Sequence, residues 1–299
     1  MKLHFTKMNG LGNDFIIFDG RDHSLPEDLG ALAKKVCDRH FGIGADGILV
    51  VLPSDINDIR MLIINSDGSE AQMCGNGIRC FAAYVYDKGI ISTKEMTVET
   101  AAGTIRPVLM DSVDGSPMVK VNMGTPRIKP WEIPVEVEGD KVIGMPMEID
   151  GYHFDLNCVS MGNPHAVTFW RNLDEAPITS LGPILERHPL FPEKTNVEFV
   201  EIMDVDEIRM RVYERGCGET LACGTGASAS VVASILNGYT DRKVKVHLLG
   251  GVLECEWCDD GSLMMSGPAA YVAEGVRGRE GLLMCAGLPP HVSGLPDAA

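Results

Sequence analysis

The sequence contains one short motif twice, at corresponding places in its two halves. Cys74-Gly75-Asn76-Gly77 recurs as Cys223-Gly224-Thr225-Gly226, an offset of 223 − 74 = 149 positions. A repeat of this length is a whole domain, since the units of solenoid proteins are only about 20–45 residues long. The duplication therefore predicts two homologous domains related by pseudo-symmetry, and it constrains the fold more than any other feature.

The repeat extends well beyond the two cysteine motifs. With the same offset, Asn65 maps to Glu214 and Glu70 to Glu219. Further blocks correspond in the same order, with offsets that agree to within about one residue. They are residues 46–51 with 195–200, Gly12-Asn13 with Gly162-Asn163, and Gly103 with Gly251. Chance similarity would not persist along the chain in this way, so the duplication covers most of both halves.

The duplication also predicts the domain boundaries. The turn Gly124-Thr125-Pro126 closes the first half, and Ser266-Gly267-Pro268 is the equivalent point in the second. We therefore predict an N-terminal domain over residues 1–121, completed by about 268–280, a C-terminal domain over 122–267, and a C-terminal extension or tail over 281–299.

Short strand-like runs dominate each half, and two helices stand out between them. One is predicted from Gly75 or Asn76 to Lys88 with Gly89 as its C-terminal stop, and the other over residues 224–236. Both are rich in small and apolar residues on all sides. This composition predicts that each helix is buried and wrapped by strands.

Composition argues against several classes of partner and location. The 299 residues include 26 Lys and Arg but 42 Asp and Glu, a formal net charge of −16. Such a balance disfavours nucleic acids and anionic membranes, which are bound by clustered Lys and Arg. No signal-like or membrane-spanning apolar run is evident, and nine scattered cysteines are unlike a disulfide framework. We therefore expect a cytoplasmic protein with free thiols.

Each Cys-Gly-x-Gly motif places a thiol at the start of a predicted helix. The unpaired N–H groups and positive dipole end there favour a bound carboxylate and a thiolate. Two such sites facing one ligand suit an amino acid whose Cα lies between the two sulfurs. One thiolate removes the Cα proton from one face while the other thiol delivers a proton to the opposite face. Stereoinversion of this kind needs no pyridoxal phosphate.

An ordered set of motifs resembles the diaminopimelate epimerases over roughly residues 1–275. The motifs are residues 8–15 (MNGLGNDF), 42–47 (GIGADG), 65–70 (NSDGSE), 73–77 (MCGNG), 161–165 (MGNPH), 195–199 (TNVEF), 214–216 (ERG) and 222–226 (ACGTG). The resemblance implies an α/β fold of the α+β type, with two pseudosymmetric domains. Each would be a curved, mainly antiparallel sheet or barrel around a central helix, and the active site would lie in the cleft between them.

The same resemblance implies the activity and the residues that perform it. Members interconvert LL- and meso-2,6-diaminopimelate for lysine and peptidoglycan precursor synthesis, without a metal or other cofactor, and a homodimer is expected. Cys74 and Cys223 match the catalytic pair, and His165 and Glu214 match residues that tune the thiols. Substrate-binding positions are matched by Asn13, Asn65, Gly75, Asn76, Asn163, Asn196, Glu214, Arg215, Gly224 and Thr225. Arg215 suits the distal carboxylate of the substrate, and Glu214 its ammonium group.

Two positions depart from the family pattern. Gly47 stands where many members have Gln, so a contact of that side chain would be lost or replaced by backbone or water. Ala273, with Tyr271 two residues before it, stands where some members have a tyrosine at the dimer contact. This second departure affects the details of the predicted dimer.

Two other functions remain open from the sequence. Another two-base enzyme, such as a proline or hydroxyproline racemase, would commonly carry His where this chain has Asn76, and it has less use for Glu214 and Arg215. A non-catalytic redox or metal-binding protein could instead use the C-x-x-C spacing of Cys255 and Cys258. That pair lacks a second Cys pair and has few histidines nearby, which disfavours zinc.

Overall fold

A computed structural model describes residues 2–22, 25–113, 115–278 and 281–286. The chain divides into two units. The first unit contains residues 1–121 and 267–299, and the second unit contains residues 122–266. Within the described ranges, no helix has both the length and the apolar character needed to span a membrane.

Four α-helices and twenty strands occur in the described part of the chain. The helices are α1 (Leu29–Cys37), α2 (Gly75–Asp87), α3 (Ile178–Glu186) and α4 (Gly224–Leu236). The strands are β1 (Leu3–Gly10), β2 (Asn13–Asp19), β3 (Gly47–Leu52), β4 (Ile59–Asn65), β5 (Glu70–Ala71), β6 (Val98–Thr100), β7 (Gly103–Ile105), β8 (Val108–Val113), β9 (Ser116–Asn122), β10 (Met145–Ile149), β11 (Tyr152–Ser160), β12 (Pro164–Phe169), β13 (Asn196–Asp204), β14 (Glu207–Glu214), β15 (Gly218–Thr220), β16 (Lys243–Leu248), β17 (Gly251–Trp257), β18 (Leu263–Pro268), β19 (Ala270–Gly278) and β20 (Gly281–Ala286).

The sheet of the first unit has the strand order β20-β19-β1-β2-β3-β4-β6-β7, with the short β5 beside β4. Most neighbours are antiparallel, but β2 with β3 and β4 with β6 are parallel. A parallel pair needs a crossover connection, and α1 and α2 lie in these two crossovers. Helix α2 is buried over residues 76–85. It is therefore the central helix of this unit.

The second unit repeats this arrangement. Its strand order is β10-β11-β12-β13-β14-β16-β17-β18, with β15 beside β14. Here β12 with β13 and β14 with β16 are parallel, and α3 and α4 lie in the crossovers. The run β1-β2-β3-β4-β6-β7 thus corresponds to β11-β12-β13-β14-β16-β17. The predicted fold, two pseudosymmetric and mainly antiparallel domains around central helices, is confirmed.

The two central helices have the predicted bounds. Helix α2 begins at Gly75, directly after Cys74, and the chain turns at Gly89 with φ +64°. Helix α4 begins at Gly224, directly after Cys223, and the chain turns at Gly238 with φ +73°. Glycine adopts this left-handed conformation without the steric conflict of a Cβ, so it ends each helix.

The C-terminal segment returns to the first unit. Strand β19 pairs antiparallel with β1, which places residues 270–278 in the sheet of the first unit. The predicted extension or tail at 281–299 begins with a strand, because β20 pairs antiparallel with β19. The remaining residues of that segment, 287–299, lie outside the described residues.

Candidate active site

Cys74 is the N-cap residue of α2. Its backbone is extended (φ −143°, ψ 119°), and its Sγ accepts a hydrogen bond from Gly77 N at 3.4 Å. The side chain is half-buried. Because the first N–H groups of a helix have no intrahelical acceptor, Gly75 and Asn76 present free donors beside this sulfur.

Asn13 links Cys74 to the neighbouring loop. Its Oδ1 lies 3.5 Å from Cys74 Sγ and accepts from Asn76 Nδ2 at 3.3 Å. Its Nδ2 donates to Asp46 Oδ2 at 2.7 Å, and Asp46 in turn accepts from Arg39 at 2.8 Å. Asp46 therefore fixes the direction of the Asn13 amide.

Asn65 ends β4, where its Nδ2 donates to Ser69 Oγ at 3.0 Å. It pairs across the sheet with Gly47, the position where many family members have Gln. A Cβ at Gly47 would lie 2.7 Å from the backbone oxygen of Ile64. Such a contact is too short for real atoms, so a side chain here requires β3 and β4 to move apart.

Cys223 occupies the same position before α4 as Cys74 occupies before α2. It is the N-cap (φ −130°, ψ 111°), and its Sγ accepts from Gly226 N at 3.4 Å. Thr225 Oγ1 lies 3.4 Å from the sulfur, and the Cys223 side chain is buried. The second unit therefore offers the same thiol at a helix start, followed by Gly224 and Thr225.

Burial and two nearby carboxylates act on the pKa of the Cys223 thiol. Burial raises the pKa of the Cys223 thiol well above its ordinary value, and the charges of Glu214 and Glu198 raise it further. Burial also raises the pKa of Glu214, although the short hydrogen bond from Thr220 Oγ1 opposes this shift. This setting favours the thiol form of Cys223, which is the form that donates a proton.

A chain of hydrogen bonds leads from a buried acid to Cys223. Glu198 Oε1 lies 2.7 Å from His165 Nδ1, and His165 Nε2 lies 3.0 Å from Asn163 Oδ1. Asn163 Nδ2 then donates to Thr225 Oγ1 at 3.4 Å, and this hydroxyl contacts Cys223 Sγ. The chain connects three predicted site residues (His165, Asn163 and Thr225) to Cys223, and it begins at Glu198, a residue that the sequence did not indicate.

Asn196 and Arg215 form a separate pair at the ends of β13 and β14. Asn196 Oδ1 accepts from the backbone N of Arg215 at 3.0 Å, and its Nδ2 donates to Pro164 O at 3.0 Å. The exposed guanidinium of Arg215 donates to the backbone oxygen of Glu193 at 3.0 Å. Asn196 therefore links the backbone of Arg215 to Pro164, which lies between Asn163 and His165.

Within each unit the structure brings most predicted site residues together. In the first unit, Asn13, Cys74, Gly75 and Asn76 are contiguous, and Asn65 lies at the end of β4 beside Gly47. In the second unit, Cys223 is surrounded by Glu214, Thr225 and the chain from His165. The residues missed from the sequence are Asp46, Glu198 and Thr220. Asp46 lies inside the motif GIGADG, and Glu198 lies inside the motif TNVEF.

Among the other cysteines whose side chains the structure describes, none begins a central helix. Cys37, Cys80, Cys158 and Cys255 are buried, and burial raises the thiol pKa of Cys37 and of Cys80 to about 12. Cys258, in the C-x-x-C pair, donates to Glu256 O at 3.8 Å. Among the described residues, no three His, Cys, Asp or Glu side chains are grouped as metal ligands.

The two helix-start glycines give a matched test of local packing. A Cβ at Gly226 would lie 2.8 Å from Glu198 Oε1, whereas at Gly77 nothing would be nearer than 3.3 Å. We expect Gly226→Ala to lower the free energy of unfolding by about 1–3 kcal/mol, because the buried carboxylate must move. Gly77→Ala should be nearly neutral, since improved helix propensity offsets the tighter contact. Denaturant unfolding of both variants checks this, and equal losses would contradict it.

Comparison with known proteins identifies the family. The profile of the family described as diaminopimelate epimerase matches residues 5–129 and 157–272. The diaminopimelate epimerase of Desulfitobacterium hafniense is 52% identical over 277 residues, covering 92% of this chain and 98% of its own. That of Pelotomaculum thermopropionicum is 51% identical over 274 residues, covering 91% and 98%. The chain belongs to the diaminopimelate epimerase family.

Solved structures extend the likeness in fold beyond this family. A phenazine biosynthesis protein of the PhzF family from Bacillus anthracis superimposes with a TM-score of 0.68 at 18% identity, covering 92% of this chain and 99% of its own. A probable proline racemase from Agrobacterium radiobacter gives 0.64 at 17% identity, covering 96% and 94%. At these identities the likeness shows the diaminopimelate epimerase fold alone.

Proposed function

We propose that this protein is a diaminopimelate epimerase that interconverts LL- and meso-2,6-diaminopimelate by two-base proton transfer at Cα, without pyridoxal phosphate. The observation that carries the proposal is the matched pair of thiols, Cys74 and Cys223, each at the N-cap of the central helix of its unit. The curated relatives at about 50% identity, which are named diaminopimelate epimerases, support the choice of substrate.

The helix starts give the proposed reaction its electrostatics. The N–H groups at Gly75-Asn76 and Gly224-Thr225 would hold the α-carboxylate, on which negative charge grows as Cα loses its proton. In one direction, the Cys74 thiolate takes the proton from Cα while the Cys223 thiol gives its own proton to the opposite face. The reverse reaction exchanges these roles, so each turnover leaves the two sulfurs with their protonation states swapped.

The remaining predicted site residues suit the second head group of the substrate. We assign Asn65, Asn196 and Arg215, with Asn13 and Asn163, to the distal amino and carboxylate groups. Arg215 now donates to a backbone oxygen, which a substrate carboxylate would replace as a stronger, charge-assisted partner. A site with these groups would reject a substrate that leaves them unpaired.

We further propose that the enzyme acts as a cytoplasmic homodimer in lysine and peptidoglycan precursor synthesis. The free thiols of the described cysteines fit a reducing compartment. The dimer is carried over from the family resemblance, and sedimentation equilibrium of the purified protein tests it.

Incubation of the reduced protein with LL-diaminopimelate in deuterated water tests the activity. We expect the Cα hydrogen to be replaced by deuterium and meso-diaminopimelate to accumulate, measured by NMR and chiral chromatography. Absence of both exchange and meso product would contradict the proposal. Free L-proline, offered in parallel, tests the alternative suggested by the likeness to a probable proline racemase, and turnover of L-proline alone would favour it.

A further inference from the structure

Glu186, the last residue of α3, is a buried acid that the proposed reaction does not use. Only 1% of its surface is exposed. Its Oε1 accepts a hydrogen bond from Gly216 N at 3.0 Å, and its Oε2 accepts from Nε of the exposed Arg187 at 3.2 Å. A carboxyl group is costly to bury unless its oxygens are hydrogen-bonded, so the bond to Gly216 fixes both groups.

Two buried side chains hold successive N–H groups of the turn that follows β14. Glu186 accepts from Gly216 N, and Asn196 accepts from Arg215 N at 3.0 Å. Gly216 has φ +78°, a left-handed conformation that glycine enters and leaves without a steric penalty. The turn therefore has little conformational preference of its own at Gly216, and the two acceptors fix its backbone.

Helix α3 is itself fixed against the strands on either side of this turn. The backbone oxygen of Glu186 accepts from Thr195 N, just before β13, at 3.1 Å. A Cβ at Gly182 would lie 2.8 Å from the Tyr213 ring, so α3 packs on β14 at a distance that only glycine allows. The carboxyl group of Glu186 is therefore held at a fixed position relative to β13 and β14.

The first unit forms the corresponding turn without an acid at the end of the helix. By the internal repeat, α3 corresponds to α1 and Glu186 to Cys37, which lies in the hydrophobic core. Where the second unit has Arg215, the first has Ser66, whose backbone N donates to Asp46 O at 2.9 Å. The fold therefore does not require the acid, which is present in the unit whose turn carries an arginine.

We propose that Glu186 is a positioning residue for Arg215: by holding Gly216 N, it fixes the turn so that the guanidinium stands where the distal carboxylate of the substrate binds. This guanidinium lies on the connection that follows α3, where it donates to Glu193 O at 3.0 Å. If the turn were loosened, Arg215 would lose more conformational freedom on binding, and the carboxylate would bind less tightly. The inference rests on the proposed function and deepens it, since it concerns recognition of the second head group.

The test compares Glu186→Leu with Glu186→Gln in the full chain. Leucine fills the buried space but has no acceptor for Gly216 N, whereas glutamine keeps an acceptor oxygen. We expect Glu186→Leu to raise KM for diaminopimelate at least about fivefold, the effect of losing one hydrogen bond. Its kcat should change little, because Arg215 acts on a group remote from the reacting Cα. Glu186→Gln should keep KM within about twofold of the natural value.

A double-variant cycle with Arg215→Ala separates positioning from a general loss of structure. If Glu186 acts through Arg215, then Glu186→Leu raises KM in the natural chain but not in Arg215→Ala. Glu201→Leu is the matched control, since Glu201 also accepts from a backbone N–H, that of Leu173, at 3.2 Å. It pairs with Arg209 near the start of β14, whereas Arg215 follows the end of this strand. We expect Glu201→Leu to leave KM unchanged.

Amide hydrogen exchange of Gly216, followed by NMR in the natural protein, tests the contact itself without substrate. We expect exchange at least about a hundredfold slower than in an unstructured peptide. Free exchange at Gly216 would overturn the proposal, even if Glu186→Leu fails to fold. So would a normal KM in Glu186→Leu, an equal rise in KM in the Arg215→Ala background, or a Glu186→Gln variant as impaired as Glu186→Leu.

Failure of this inference and failure of the proposed function give different results. A natural protein that does not epimerise diaminopimelate contradicts the proposed function. A natural protein that epimerises it, while Gly216 exchanges freely or KM is unchanged in Glu186→Leu, contradicts only the role of Glu186.

Discussion

Replacing Cys223 by alanine is expected to lower the rate of epimerisation at least about a hundredfold, and replacing Cys74 should do the same. Each variant keeps one thiol, which can still remove the Cα proton from its own face and return a solvent proton to that face. Exchange with deuterated water should therefore persist for one isomer in each variant, and for opposite isomers in the two variants. Stereoinversion should be lost from both.

Measurement of exchange and inversion on LL- and meso-diaminopimelate for both variants checks this expectation. Cys258→Ser serves as the control, because Cys258 lies in the C-x-x-C pair and outside the proposed reaction. We expect it to keep full activity. Inversion at a normal rate by either alanine variant, or loss of activity in Cys258→Ser, would contradict a mechanism with one thiol on each face.

The double variant His165→Phe with Glu198→Leu should fold as well as the natural chain or better, yet lose most of its activity. It copies Phe15 and Leu49, which fill the equivalent positions of the first unit. Replacing a buried ion pair by packed apolar groups is typically neutral or stabilising by about 1–4 kcal/mol. We expect the loss of epimerisation to exceed about tenfold, because the hydrogen-bonded chain that reaches Cys223 through Asn163 and Thr225 is broken at His165.

The single variants provide the contrast. Glu198→Leu alone leaves His165 buried without its acceptor and should destabilise the protein by about 3–5 kcal/mol, the cost of breaking a buried pair from one side. Urea unfolding of the two single variants and the double variant measures the coupling. If the double variant loses as much free energy of unfolding as the two single variants lose together, the second unit cannot accommodate the apolar side chains of the first.

The duplication explains why so much of the fold could be predicted from the sequence. Because the two halves share one fold, the starts of the central helices and the longer strands are indicated twice, so the pattern in one half supports the interpretation of the other. The start and end of α2 and α4 are confirmed for this reason, as both combine a cysteine motif with a terminal glycine. Short strands such as β5 and β15 carry too few residues for any periodicity and appear only in the structure.

The part of the site that sequence reasoning missed consists of side chains that support others. Glu198 stands in a strand between Val197 and Phe199, and a Glu at such a position looks like an ordinary solvent-facing residue. Only three-dimensional packing shows that it is completely buried against His165. The correspondence of Glu198 with Leu49 in the internal repeat could have indicated its role. A charged residue in one half at the position of an apolar residue in the other marks a place where the two halves differ in chemistry.

The first unit is assembled from two segments that are far apart in the sequence, and this has a consequence for synthesis on the ribosome. Strand β1 lies between β2 and β19, but about 260 residues separate β1 from β19 along the chain. At about 5–20 residues per second, translation leaves the open edge of β1 unpaired for roughly 13–52 seconds. The second unit is a single continuous segment, so we expect it to reach its native structure first, against the usual N-to-C order. During that interval the nascent N-terminal half exposes an unpaired strand edge, the kind of surface that chaperones shield from aggregation.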